Sequence, residues 1–312
     1  EQGLISKQLA TIILDSPVTF DELEFERKEI DEKEITKILK ELEFNQLGKR
    51  ILGKPIYQEK QMDLFAGNEI ESISEPTFHT ISSIKPKYQL IEKKEDHINL
   101  IKKLLFQEAV AFDTETTSLD INEAKLLGIS FCFSKNEAYY CDVSKDQSLI
   151  HLYNDFFNSS TLKIAHNLKY DYGVLFKYGI QINKYCFDTM LAHYLIDPEK
   201  RHNLDQLARN ILNYNPIPIE SLIGSKTKPT RKMEEVDLNE LKNYAAEDAD
   251  LAFQLYLNFK EELKSLDLDY LFTDIEMPLL KVLHDMESKG IKINISSLND
   301  LSTKLKLSLS TL

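Results

Sequence analysis

Two carboxylates one residue apart close an apolar run at Val110-Ala111-Phe112-Asp113-Thr114-Glu115-Thr116. In a strand, side chains at i and i+2 point to one face, about 6–7 Å apart along the backbone, so Asp113 and Glu115 would stand side by side. Two like charges that close push one another towards the protonated form unless a cation lies between them. An all-oxygen pair suits a hard cation such as Mg²⁺ or Mn²⁺. The chemistry on offer is therefore metal-assisted. Asp-x-Glu alone is common on solvated strands and loops, so other residues must carry the argument.

Two further placements follow in order. His166-Asn167-Leu168-Lys169-Tyr170-Asp171 sets Asn167 and Asp171 four apart at a strand-to-helix transition, on one side of the first helical turn. Asn243-Tyr244-Ala245-Ala246-Glu247-Asp248 sets Tyr244 and Asp248 at i and i+4, sharing one face of a long helix. Ala245, Ala246 and Ala249 around them are small, which lets that helix lie close against a sheet.

The elements that must position these residues read as α/β from about Tyr88. A helix over 94–107 leads to the acidic strand, 108–114. Alternating runs at 126–134 and 138–144, separated by Lys135-Asn136-Glu137, predict a hairpin beside it. A helix over 147–158 and a strand over 162–166 follow, and the next segment is largely helical, with helices at 188–196, 204–212 and 238–263. This order predicts a mixed sheet flanked by helices, with its active edge at the ends of the first and fourth strands. Upstream, helical spacing over 31–52 has Asp31 as N-cap and Gly53 and Pro55 as the stop. Downstream, a helix over 270–289 carries Pro278 and ends at Gly290, before Ile291-Lys292-Ile293 and another helical start.

The ordered set Asp113-x-Glu115, Asn167-x-x-x-Asp171 and Tyr244-x-x-x-Asp248 resembles the three exonuclease motifs of the DEDD superfamily, in the subgroup with tyrosine in the last motif. Phe112 to Leu119, Asn167 to Asp171, Phe187-Asp188-Thr189-Met190 and Tyr244 to Asp250 are similar to the proofreading domain of bacterial family A DNA polymerases. The flanks carry the likeness further. Leu4 to Leu52 is similar to the tail of the 5′-nuclease region of that family, and Ile275 to Ile293 to the opening of its polymerase domain. The resemblance implies a ribonuclease H-like α/β fold divided into a helical tail (1–52), a linker (53–87), a 3′-5′ exonuclease domain (88–268) and a truncated polymerase start (269–312).

It also implies a chemistry. Hydrolysis of a phosphodiester needs an activated water and charge stabilisation on the leaving oxygen, which two divalent ions about 4 Å apart supply together. Asp113, Glu115, Asp171 and Asp248 would be the metal carboxylates, with Asp113 bridging. Tyr244 would orient the attacking water, since a phenol with an ordinary pKa near 10 is a poor base at neutral pH. Thr114, Leu119 and Asn167 would contact substrate, Leu119 as an apolar wedge against the terminal base. Where the family often has an aromatic stacking partner, Ile219 stands. The expected substrate is a single-stranded DNA 3′ end, in a parent protein of replication and repair. An RNA-trimming enzyme similar to ribonuclease D and a non-catalytic DNA-binding spacer are the alternatives.

Composition bounds these expectations. The 312 residues carry a formal net charge of −13, which argues against binding nucleic acid through a global basic field but not at one metal-filled site. Cys132, Cys141 and Cys186 have no C-x-x-C spacing and read as reduced, buried thiols. A polar N-terminus without a signal-like apolar stretch, and no run of membrane-span length, predict a cytoplasmic protein without a membrane partner. The chain opens without Met and stops inside a helical pattern, as a fragment would. Gln61-Met62-Asp63-Leu64-Phe65 resembles the short peptides that bind bacterial sliding clamps; Gln61, Leu64 and Phe65 would make that contact, or would simply pin the linker. Lys226, Lys228, Arg231 and Lys232 form a basic loop before the Tyr244 helix, equally a solvated loop or a single-strand contact.

Overall fold

The computed structural model describes residues 2–12, 30–42, 44–52, 78–225 and 228–311. Gln61, Leu64 and Phe65, with Lys226, lie outside them. The chain divides into two units, Glu1–Ser72 and Ile73–Leu312. In the first, α1 spans Gln2–Ala10, α2 Glu32–Glu41 and α3 Asn45–Leu52. Asp31 caps α2 as its position predicts, its Oδ1 accepting from Lys33 N at 2.9 Å and Glu34 N at 3.1 Å. The single helix expected over 31–52 is instead two, because Phe44 N donates back to Leu39 O at 2.9 Å and closes α2 with a Schellman-type bond.

The second unit opens with α4 (Ile81–Ile84), β1 (Lys87–Ile91), α5 (Lys94–Leu105), β2 (Ala109–Thr116), β3 (Leu126–Ser134) and β4 (Glu137–Asp142). A 3₁₀ turn (Gln147–Tyr153) runs into α6 (Asn154–Asn158), then come β5 (Leu162–Ala165), α7 (Leu168–Lys177), β6 (Cys186–Asp188), α8 (Thr189–Ile196) and α9 (Leu204–Leu212). α10 (Ile219–Ile223) leads to a small ribbon, β7 (Gly224–Ser225) and β8 (Lys228–Pro229), and on to α11 (Leu238–Ser265). A π-helical stretch (Leu271–Glu276), α12 (Met277–Lys289) and α13 (Ile295–Ser310) follow. The helix expected over 270–289 changes hydrogen-bond register before Pro278, which has no N–H to continue the ladder.

Six strands make one mixed sheet in the order β1-β4-β3-β2-β5-β6. β2 pairs antiparallel with β3 and parallel with β5, and β3 pairs antiparallel with β4, so the expected hairpin lies beside the acidic strand. β2 runs two residues further than its apolar pattern indicates, which brings Glu115 inside the strand. A bulge follows between Glu115 and Thr116. Two short strands have no sequence signature: β1, which pairs parallel with β4, and β6, three residues long on the opposite edge. Cys132 and Cys141 are buried free thiols; Cys186, on that edge strand, is only half-buried.

The period of two along β2 sorts its residues between two cores. Val110 and Phe112 join one with α5, α6 and α7, where the Phe112 and Phe157 rings meet edge-on at 5.2 Å. Ala111 joins the other with α8, α9 and α11. α11 meets that face through Ala246, Ala249 and Ala252, each at most 1 % exposed, so its backbone lies close to the sheet as the small residues predict. Ala252→Leu is expected to lower stability by about 1–3 kcal/mol through overpacking, read as an earlier urea midpoint. Among the described residues, no helix is long and apolar enough to cross a membrane.

Candidate active site

Because Asp113 and Glu115 share the face of β2 that Ala111 presents to α11, they point at the helix carrying Tyr244 and Asp248. One carboxylate oxygen each from Asp113, Glu115 and Asp248 lie within 4.8 Å of one another. Asp171 reaches the same cavity from α7 on the other side of β2. Its Oδ1 accepts from Thr114 N at 3.0 Å and Thr114 Oγ1 at 2.6 Å. The four acids thus line one cavity of about 1050 Å³, three as a tight cluster and the fourth anchored by the residue between the first two.

The electrostatics match the crowding. Burial, then the charges of Asp171 and Asp248, hold Asp113 well above the usual carboxylate range. Glu115 is raised by burial and by Asp113, and Asp248 by burial and by Glu115. Asp171 is pushed up to about 7 by burial, against the opposing pull of its two bonds from Thr114. Tyr244 hydrogen-bonds Asp248, and that carboxylate, with burial, drives its phenol above its ordinary value. Glu115 Oε1 is buried without a hydrogen-bond partner. A divalent cation satisfies each of these features at once: an orphaned carboxylate oxygen, an all-oxygen donor set and like charges with nothing between them.

The remaining expected substrate residues sit around this floor. Leu119 is 91 % exposed at the cavity mouth. The loop behind it is tied to α7, since Tyr170 OH donates to Ser118 O at 2.7 Å and lies 2.5 Å from Thr116 Oγ1. Asn167 is exposed and lines the cavity in the left-handed conformation, φ 66°. Thr114 is buried with its hydroxyl engaged by Asp171. Ile219, Arg231 and Lys232 line the opposite wall. Arg231 donates to Leu222 O and pairs with Glu240 at 2.9 Å, which fixes this wall to α11.

Other residues gain a place that the chain order did not give them. His166 lines the cavity and sets Nδ1 2.9 Å from Thr189 Oγ1; burial lowers its pKa to about 4, so it is neutral. His193 and His202 pair through Nδ1 atoms 2.7 Å apart. Glu247, beside Asp248, turns the other way and accepts from Tyr214 OH at 2.5 Å and Ile217 N at 2.6 Å, which tethers the segment leading to Ile219.

A family model described as 3′-5′ exonuclease matches residues 88–264. The chain belongs to the 3′-5′ exonuclease family. The exonuclease match covers the six-stranded sheet and α11 apart from the first residue of β1 and the last of α11, and so every cavity residue named above. The chain is 35 % identical over 223 residues to DNA polymerase I of Borreliella burgdorferi, covering 69 % of this chain and 24 % of that protein. It is 29 % identical over 320 residues to DNA polymerase I of Pseudomonas aeruginosa, covering 98 % of this chain and 33 % of the relative. It therefore spans only about a quarter to a third of the length of these relatives. Among solved structures, the POL domain of Pol1 from M. smegmatis, in complex with DNA primer-template and dNTP, superposes with a TM-score of 0.55 at 17 % identity. That superposition covers 69 % of this chain and 34 % of the other, and extends the likeness to the fold.

Proposed function

We propose that this exonuclease domain, over 88–268, removes nucleotides from a single-stranded DNA 3′ end as the proofreading segment of a family A DNA polymerase. Residues 1–52, 53–87 and 269–312 are read as the end of a 5′-nuclease region, a linker and the start of the polymerase domain, in a parent protein of replication and repair. The observation that carries the reading is the convergence of Asp113, Glu115 and Asp248 on a cavity also lined by Asp171, in a chain of this family.

Asp113, Glu115, Asp171 and Asp248 would hold two Mg²⁺ or Mn²⁺ ions. Bound there, divalent ions supply charge stabilisation to the phosphate oxygens and lower the pKa of water. The protein's own groups do the rest. Tyr244, its phenol raised by Asp248, stays protonated at neutral pH and acts as a hydrogen-bonding guide for the water, not as its base. Thr114 acts through Asp171, keeping that carboxylate turned to the cavity. Leu119 presses on the terminal base, and Asn167 holds the sugar or phosphate of the last nucleotide. Arg231 and Lys232 offer cationic groups to the strand behind it.

A time course of end-labelled single-stranded DNA digestion, with Mg²⁺ and with EDTA, tests this. Shortening from the 3′ end that stops in EDTA supports it. Equal turnover in EDTA, or turnover confined to RNA ends, removes it. Tyr244→Phe is expected to lower kcat about 10²-fold while leaving calorimetric Mn²⁺ affinity within a small factor of the parent, since the ring keeps its packing and only the hydroxyl is lost.

A further inference from the structure

Asn is among the strongest helix N-caps, because its side-chain oxygen accepts from the N–H groups of the first turn. Asn167 occupies the N-cap of α7 yet makes no side-chain capping bond; its backbone is left-handed, φ 66° and ψ 48°, and its side chain is exposed on the cavity wall. The N–H groups where the chain enters α7 are held by Asp188. Asp188 Oδ2 accepts from Leu168 N at 2.9 Å, and Oδ1 accepts from Asn167 N at 3.1 Å. The same Oδ1 also accepts from Met190 N at 2.8 Å and Leu191 N at 3.3 Å, the start of α8.

This double duty follows from the sheet. β5 and β6 are parallel neighbours in which Ala165 pairs with Asp188, so both strands end level and both turn into helices at the same edge. A side chain at the end of β6 then faces two sets of unpaired N–H groups. Asp188 is 1 % exposed and does not line the cavity, so it cannot touch substrate.

We infer that Asp188 is a positioning residue for the reaction: by binding the N–H groups of Asn167 and Leu168 it holds Asn167 left-handed, which keeps the Asn167 amide off its own helix and free for substrate, and it fixes the helical turn that carries Asp171. This rests on the reading of Asn167 and Asp171 given above. Without the carboxylate, Asn167 loses the bond that holds its backbone left-handed, and its side chain is released to cap its own helix.

Asp188→Ser separates this role from simple support of the fold. A serine hydroxyl still caps α8, but one short oxygen does not span to Asn167 N and Leu168 N. The variant should remain folded, by far-UV circular dichroism, with kcat lower by about 100-fold, a raised KM for single-stranded DNA and weaker Mn²⁺ binding by calorimetry. Hydrogen exchange should quicken at the amides of Asn167 and Leu168 and stay slow at Met190 and Leu191. Asp188→Glu, too long to meet both helices, should not rescue activity. Wild-type kcat, KM and Mn²⁺ affinity in folded Asp188→Ser would overturn the inference. If the parent chain proves inert towards DNA, the functional reading falls instead, and unchanged exchange at Asn167 and Leu168 would still sink the positioning role.

Discussion

Replacing Asp113 by Asn and Glu115 by Gln is expected to lower hydrolysis of single-stranded DNA by about 10³-fold or more, the loss of about 4 kcal/mol of transition-state stabilisation. The same double substitution should make the metal-free protein more stable. Both carboxyls are buried, both are held above the ordinary carboxylate range, and each raises or is raised by neighbouring acids. Neutral amides of the same shape remove that repulsion, as in other sites where uncompensated buried charge is replaced. In EDTA the thermal transition of the exonuclease unit should rise by about 5 °C. Saturating Mn²⁺ should stabilise the parent and not the variant. Persistent digestion by the variant, or a lower transition in EDTA, would contradict the reading of these residues as ligands.

The second large effect is on pH. Folded-state pKa values raised above those of the unfolded chain mean that the acids contribute stability in full below about pH 4 and lose it as the pH rises through the folded values. Asp171, raised to about 7, places the upper part of that window near neutrality. Urea midpoints in EDTA should therefore fall between about pH 5 and about pH 8, and the fall should shrink in the double variant. With Mn²⁺ the trend should weaken or reverse, because the cation binds the ionised carboxylates and releases their protons. Midpoints that rise with pH in EDTA would mean that burial and mutual repulsion do not hold these acids above their ordinary range.

How much of this was legible in the chain depends on how far apart the cooperating residues lie. Asp113 and Glu115 share a strand, and Tyr244 and Asp248 share a helix, so period and spacing alone put each pair on one face. The closeness of α11 to the sheet was readable from Ala245, Ala246 and Ala249. The bond from Thr114 to Asp171 was not, since nothing local says that the even face of β2 meets α7. Phe187-Asp188-Thr189 stood out as a motif, but its purpose depends on β5 and β6 being neighbours, and a three-residue strand gives no periodic signal. The same holds for the tether from Glu247 to Tyr214 and Ile217, which points away from the adjoining Asp248. A backward bond from Phe44 hid the division between α2 and α3.

The bulge after Glu115 separates two kinds of inheritance. Upstream, the strand is locked by ladder bonds to β3, and a residue gained or lost there would reverse the facing of both acids. Downstream, the ladder has already slipped, and Leu119 hangs from a loop anchored by Tyr170. If Leu119 grips the strand end and the acids hold the metal as proposed, insertions or deletions in that loop would change which strand end is gripped while sparing the acids, so selection could retune substrate choice with the bond-breaking apparatus untouched.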